Sequence, residues 1–309
     1  MTTPTIAEIA LIERIETLKK ERNAVILAHN YQIEFIQEVA DLIGDSLELS
    51  LKASKTDADV IVFCGVHFMA ETAAIVCPEK TVIMPDLNAG CGMADMISAE
   101  SLRKMKAEHP GAVVVCYVNT SAEVKAESDY CCTSANAVKV VLSIPEDREI
   151  IFVPDRYLAR HVERQTGRKL IIYNGFCPTH LRIVTEGIIQ AKAEHPDAEI
   201  LVHPECTPDV IDMGNKTLST SGICRSVRES KALEFIVATE TGIINRLKRE
   251  NPGKTFVPAC ATCQCSHMKM NTLEKLVWTL EDMENVVTVP EEIRIRARRA
   301  VDRMLAITG

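Results

Sequence analysis

The run AVILAHNYQ (residues 24–32) is aliphatic until it stops on His29, Asn30 and Tyr31. Two later runs repeat the pattern, AVVVCYVNTS (112–121) and AEILVHPECT (198–207). Short apolar runs bounded by polar or turn residues read as buried strands. Each of the three opens a longer series. Strand-like runs begin at Ala24, Val60 and Thr81, with gaps of 36 and 21 residues. They begin again at Ala112, Glu149 and Lys169 (37 and 20), and at Ala198, Leu233 and Lys254 (35 and 21). Helical patterns fill the spaces, which predicts parallel sheets with helices on both faces. The same long–short rhythm occurs three times, its first strands offset by 88 and 86 residues. It predicts an α/β fold of three tandem pseudo-symmetric α/β/α domains with small parallel sheets around a central site. The expected boundaries are 1–108 with an N-terminal helix, 109–195, and 196–309 with a C-terminal helix. Units this small are marginal alone and are expected to pack around a pseudo-threefold axis.

Composition narrows the function. The 309 residues are 47% hydrophobic and only 4% aromatic, with a net charge of −8. Nucleic-acid and membrane-surface roles need basic fields, so both are disfavoured. No apolar run approaches the ~20 residues of a membrane span. The opening MTTPTIAEIALIERIETLKKERN reads as an amphipathic helix without a signal-peptide core, which predicts a cytoplasmic protein. A reducing compartment argues against structural disulfides among the twelve cysteines. Cys64, Cys77 and Cys116 are expected to be buried thiols, the vicinal pair Cys131–Cys132 to be structural, and the basic segment 294–304 to be a solvated helix face. No dinucleotide fingerprint or phosphate loop is present.

In open parallel sheets ligands bind beyond the C-terminal strand ends. Equivalent positions of the three units should therefore meet there. The first strands end in His29, Tyr117 and His203; two residues on stand Tyr31, Asn119 and Glu205. Seventeen residues after the first set come Ser46, Ser134 and Thr220, in polar breaks where a hydroxyl can cap a helix and free amides can bind an anion. The third strands are followed by Cys91, Cys177 and the cluster Cys260, Cys263, Cys265, where the offset alone admits either Cys263 or Cys265. Three converging thiols fall one short of the ligands of a structural zinc or a 4Fe–4S cluster. A cluster so held keeps one iron open as a Lewis acid.

These residues resemble the quinolinate synthase family. The resemblance runs over essentially the whole chain, through ILAHNYQ (26–32), DLIGDSLELS (41–50), VFCGVHFMAETA (62–73), GCGMAD (90–95), CYVNTSAEVKAESDYCCTSANA (116–137), VPDRYLA (153–159), GFCPTH (175–180), HPEC (203–206), STSGI (219–223), VATETGI (237–243) and CSHMKMNTLEKL (265–276). It implies condensation of iminosuccinate with dihydroxyacetone phosphate to quinolinate, phosphate and water, on the route to NAD. It implies a 4Fe–4S cluster on Cys91, Cys177 and Cys265, and L-aspartate oxidase as the supplier of iminosuccinate. It places His29, Ser46, Tyr117, Asn119, Ser134, His203, Glu205 and Thr220 at the substrate, with Tyr31 also in the site. Glu205, aided by Tyr31, Tyr117 and His203, is the expected acid/base centre. Many relatives carry C-x-x-C-x-x-C where this chain has Cys260-x-x-Cys263-x-Cys265; the shorter last gap leaves a redox-sensitive Cys260–Cys263 disulfide open as an alternative, while a reducing cytoplasm favours two reduced thiols. The competing readings are another Fe–S hydro-lyase acting on a small hydroxy acid and a non-enzymatic Fe–S sensor.

Overall fold

The computed structural model describes residues 3–307; positions 1, 2, 308 and 309, which fall in the first and third expected units, lie outside the described residues. Twelve strands form three separate four-stranded sheets. The first holds β1 (Ala24–His29), β2 (Leu42–Gly44), β3 (Val60–Cys64) and β4 (Thr81–Ile83). The second holds β5 (Val113–Tyr117), β6 (Tyr130–Cys132), β7 (Ile150–Val153) and β8 (Ile171–Ile172). The third holds β9 (Glu199–Val202), β10 (Lys216–Thr217), β11 (Glu234–Ala238) and β12 (Thr255–Pro258). All pairings are parallel, and each sheet runs second–first–third–fourth. The central strands are buried on both faces, as helix-covered parallel strands must be.

The three sheets repeat in detail. Each short edge strand is preceded by a residue that prolongs the ladder with both backbone and side chain. Asp41 accepts the Ile26 N–H at 2.8 Å, Asp129 that of Val114 at 2.8 Å, and Asn215 that of Ile200 at 2.7 Å. Short 3₁₀ turns begin three residues after Cys91, Cys177 and Cys265, at Ala94–Met96, His180–Arg182 and Met268–Met270.

One apolar core runs across all three sheets, through Leu27, Phe152 and Phe235. The chain ends strap the units together. The N-terminal helix (Ile6–Glu21) lies against β1 and the helix Leu273–Asp282, where Arg22 donates to the carbonyls of Leu280 and Glu281. The C-terminal helix (Glu291–Ala306) packs on the helices Ala122–Ala126 and His67–Val76. As expected of a basic amphipathic helix, the segment 294–304 keeps a solvated face, with Arg296, Arg299 and Arg303 exposed. Ala297, Ala300, Val301 and Met304 are buried, and Arg296, Arg298 and Arg303 bind Glu127, the Val76 carbonyl and the Asp129 carbonyl.

Gly187 opens this packing to prediction. A Cβ there would lie 2.2 Å from the Ala259 carbonyl oxygen, which is backbone and cannot swing aside. Gly187→Ala is expected to lower stability by about 1–3 kcal/mol, as overpacking does. An unchanged urea midpoint would contradict this contact.

Candidate active site

The C-terminal ends of the three sheets face one cavity of about 160 Å³. Its lining contains His29, Tyr31, Ser46, Cys91, Tyr117, Asn119, Ser134, Cys177, His203, Glu205, Thr220 and Cys265, so every residue singled out by the threefold comparison reaches it.

His29 and His203 are set by their own turns. His29 Nδ1 accepts the Tyr31 N–H at 3.2 Å, and His203 Nδ1 accepts the Glu205 N–H at 3.4 Å. That leaves the proton on Nε2 and makes each ring a neutral donor. Burial drives both pKa values down to about 3, against the opposing pull of the Glu205 charge.

Glu205 is the hinge of a hydrogen-bond chain through all three units. The Tyr117 hydroxyl donates to Oε1 at 2.5 Å, and His180 Nδ1 lies 2.8 Å from Oε2. His180 Nε2 meets Thr239 Oγ1 at 2.8 Å, and that oxygen meets the Tyr31 hydroxyl at 2.5 Å. His203 stacks on His180 with centroids 4.8 Å apart. Burial opposes the Glu205 charge, but the charge and hydrogen bond of His180, with His203 and Tyr117, outweigh it. The carboxyl is held below the usual range. Burial and the Glu205 charge push both tyrosines well above theirs, so they keep their protons.

The hydroxyl residues differ from expectation. The helix caps are the preceding Asp45 and Ser219, and in the second unit the helix starts only at Ala137. Ser46 and Thr220 are thus first helical residues with hydroxyls free of capping duty. Thr220 Oγ1 instead accepts from Asn30 at 2.8 Å.

Ten free cysteines are described, and the three that are partly exposed are Cys91, Cys177 and Cys265. Each sulfur faces amides of its own 3₁₀ turn: Met93 and Ala94, His180, and His267 and Met268. Burial pushes all three thiols up, Cys91 to about 12. The opening of the third turn at Met268 singles out Cys265, because Cys263 is fully buried and joined to Cys260. That disulfide corrects the expectation of two reduced thiols. A tight turn, Cys263 N–H to Cys260 carbonyl, brings their Cα atoms to 5.4 Å, within bridging reach. Cys64, Cys77, Cys116, Cys131 and Cys132 are buried.

His180, Thr239, Glu240 and Lys269 escaped the sequence reading. His180 stands three residues after Cys177, where the other units have Ala94 and Met268, so a search for polar triples passes over it.

A family model described as "NadA: Quinolinate synthetase A protein" matches residues 13–306. The chain belongs to this family. It is 55% identical over 294 residues to the quinolinate synthase of Dehalococcoides mccartyi strain CBDB1, covering 95% of this chain and 97% of that one. It is 56% identical over 293 residues to that of Geobacter sp. strain M21 (95% and 96%), and 54% over 297 residues to that of Thermodesulfovibrio yellowstonii (96% and 98%). Membership makes the chain an enzyme of quinolinate synthesis acting on small molecules. No described helix is long and apolar enough to cross a membrane.

The neutral histidines give a pH test. Unfolded histidine takes up a proton near its ordinary value of 6.5, whereas His29 and His203 do so only near 3. The unfolded state therefore binds more protons as the pH drops below that value, and stability falls. Metal-free protein should lose about 2 kcal/mol per such histidine between about pH 7 and about pH 5. His29→Asn should flatten the slope by one share. Equal slopes in urea titrations of both proteins would count against a neutral His29.

Proposed function

We propose that this cavity condenses iminosuccinate with dihydroxyacetone phosphate to quinolinate, phosphate and water, on the route to NAD, with a 4Fe–4S cluster held by Cys91, Cys177 and Cys265. What carries the reading is the meeting of two features at one place. Three partly exposed thiols, one per unit and each at the start of an amide-lined turn, share a cavity with the Tyr117–Glu205–His180–Thr239–Tyr31 chain. The donor set fits the group: amides facing sulfur stabilise thiolates, and metal binding displaces the protons that burial now holds on them. When bound, a three-cysteine cluster supplies one Lewis-acidic iron open to substrate.

The chain's own residues account for binding and proton movement. Ser46, Ser134 and Thr220 offer hydroxyls from three units, and the Nε2–H groups of His29 and His203 add neutral donors. These suit the carboxylates and phosphate of the substrates. Asn119 Oδ1 is buried without a partner among the described residues. It is an acceptor awaiting a substrate N–H or O–H. Ionised Glu205 is the base that removes a proton from substrate carbon or hydroxyl, and Tyr117, still protonated, is the donor beside it. His180 shares the charge that Glu205 loses or gains, and Thr239 carries the hydrogen-bond path to Tyr31. We place the enzyme in the cytoplasm, where L-aspartate oxidase would supply iminosuccinate.

Protein purified without oxygen is expected to bind about four irons per chain. Cys91→Ala or Cys177→Ala should remove the iron and quinolinate formation together; full activity in an iron-free variant would end the proposal. Glu205→Gln should keep its iron yet slow turnover at least ~10²-fold, the low end of acid/base effects. Turnover at the parent rate would take Glu205 out of the role.

A further inference from the structure

The central strands β3, β7 and β11 end at Cys64, Val153 and Ala238, and two residues on stand Val66, Asp155 and Glu240. Two of these three equivalent positions thus carry a carboxyl group, and both are fully buried. Neither belongs to the acid/base chain. Glu240 Oε1 accepts the N–H of Cys265 at 3.0 Å and lies 2.8 Å from Lys269 Nζ. Its Oε2 accepts the N–H of Gly242 at 2.7 Å. Lys269 also donates to the Tyr31 carbonyl, so one ion pair links a thiol-bearing loop of the third unit to Tyr31 of the first. The fit is close: a Cβ on Gly242 would stand 2.5 Å from that carbonyl oxygen. In the second unit Asp155 Oδ1 accepts the N–H of Leu158 at 2.6 Å. Its Oδ2 makes no hydrogen bond among the described residues.

We propose that Glu240 is a positioning residue for one of the three cluster thiols: its buried carboxyl holds the amide of Cys265, and the Glu240–Lys269 pair extends that hold to Tyr31. This rests on the cluster reading above and names what steadies one of the ligands. A backbone amide fixed by a carboxylate fixes the Cα–Cβ direction of its cysteine, and so where the sulfur points. A buried carboxyl is costly to keep unless it is partnered, and Glu240 places its oxygens on the Cys265 amide, Lys269 and the Gly242 amide. The first unit has Val66 there and secures the Cys91 loop differently, through Asp86, which accepts the Asn88 N–H at 2.8 Å and pairs with Lys275 at 2.6 Å.

The test uses anaerobically loaded protein and follows iron release to a ferrous chelator, with the melting of metal-free protein measured alongside. Glu240→Ala removes the acceptor, while Glu240→Gln keeps a carbonyl oxygen in its place. The alanine variant is expected to release iron at least ~10-fold faster than the parent, as loss of groups outside the ligand sphere does. The glutamine variant should fall between, with unchanged metal-free melting. Release at the parent rate from both variants would overturn the inference. So would a glutamine-variant rate equal to the parent's where the alanine variant does not fold. A parent that takes up no iron would overturn the cluster reading itself, a result distinguishable from either.

Discussion

The ionised carboxylate of Glu205 sits where there is almost no water, only 4% exposed, and a charge in such a place survives only if neighbours hold it. The neighbours come from different parts of the chain. Tyr117 ends the first strand of the second unit, His180 follows the second thiol, and His203 directly follows the strand that leads to Glu205 itself. Each must arrive within hydrogen-bond or stacking reach, so this one charge constrains how three small sheets dock. Thr239 and Tyr31 then follow, because the far nitrogen of His180 also needs a partner in a buried setting.

That docking was legible to an unusual depth because the repeat could be read as geometry. Offsets of 88 and 86 residues, taken from apolar runs, located the polar strand ends and the cysteines without knowledge of any contact. The short edge strands were not legible. Leu42–Gly44, Tyr130–Cys132 and Lys216–Thr217 are too short to show a period, and are held by the side chains of Asp41, Asp129 and Asn215. Yet those three residues keep the same offsets, so the signal was present in a place where no strand was sought. His180 was invisible for the opposite reason: it has no polar counterpart in the other copies. The Cys260–Cys263 disulfide was misjudged because a compartment argument was set against local geometry, and a turn of three residues puts two cysteines within reach whatever the surrounding redox state. The C-terminal basic segment was legible as an amphipathic helix with a solvated face, but not that three of its arginines also bind Glu127 and two backbone carbonyls across unit boundaries.

A threefold scaffold gives equal access to one cavity from three sides, but chemistry requires the three sides to differ. The position two residues past the first strand carries Tyr31, Asn119 and Glu205. One is a hydroxyl tied to Thr239, one an amide whose carbonyl oxygen is unpartnered, and one an ionised base. The same backbone turn therefore presents a retained proton, an empty acceptor and a negative charge to a common centre. The strand-end position varies less, with two neutral imidazoles and one phenol, all proton donors toward the cavity. The thiols do not vary at all. In the proposed function, thiols that would share one metal group keep the symmetry, and residues that would act in succession on the substrate break it. On that logic the informative residues are those that not all three copies carry: His180, which couples Glu205 to Thr239 and Tyr31, and the buried carboxyls Asp155 and Glu240, which the first unit lacks.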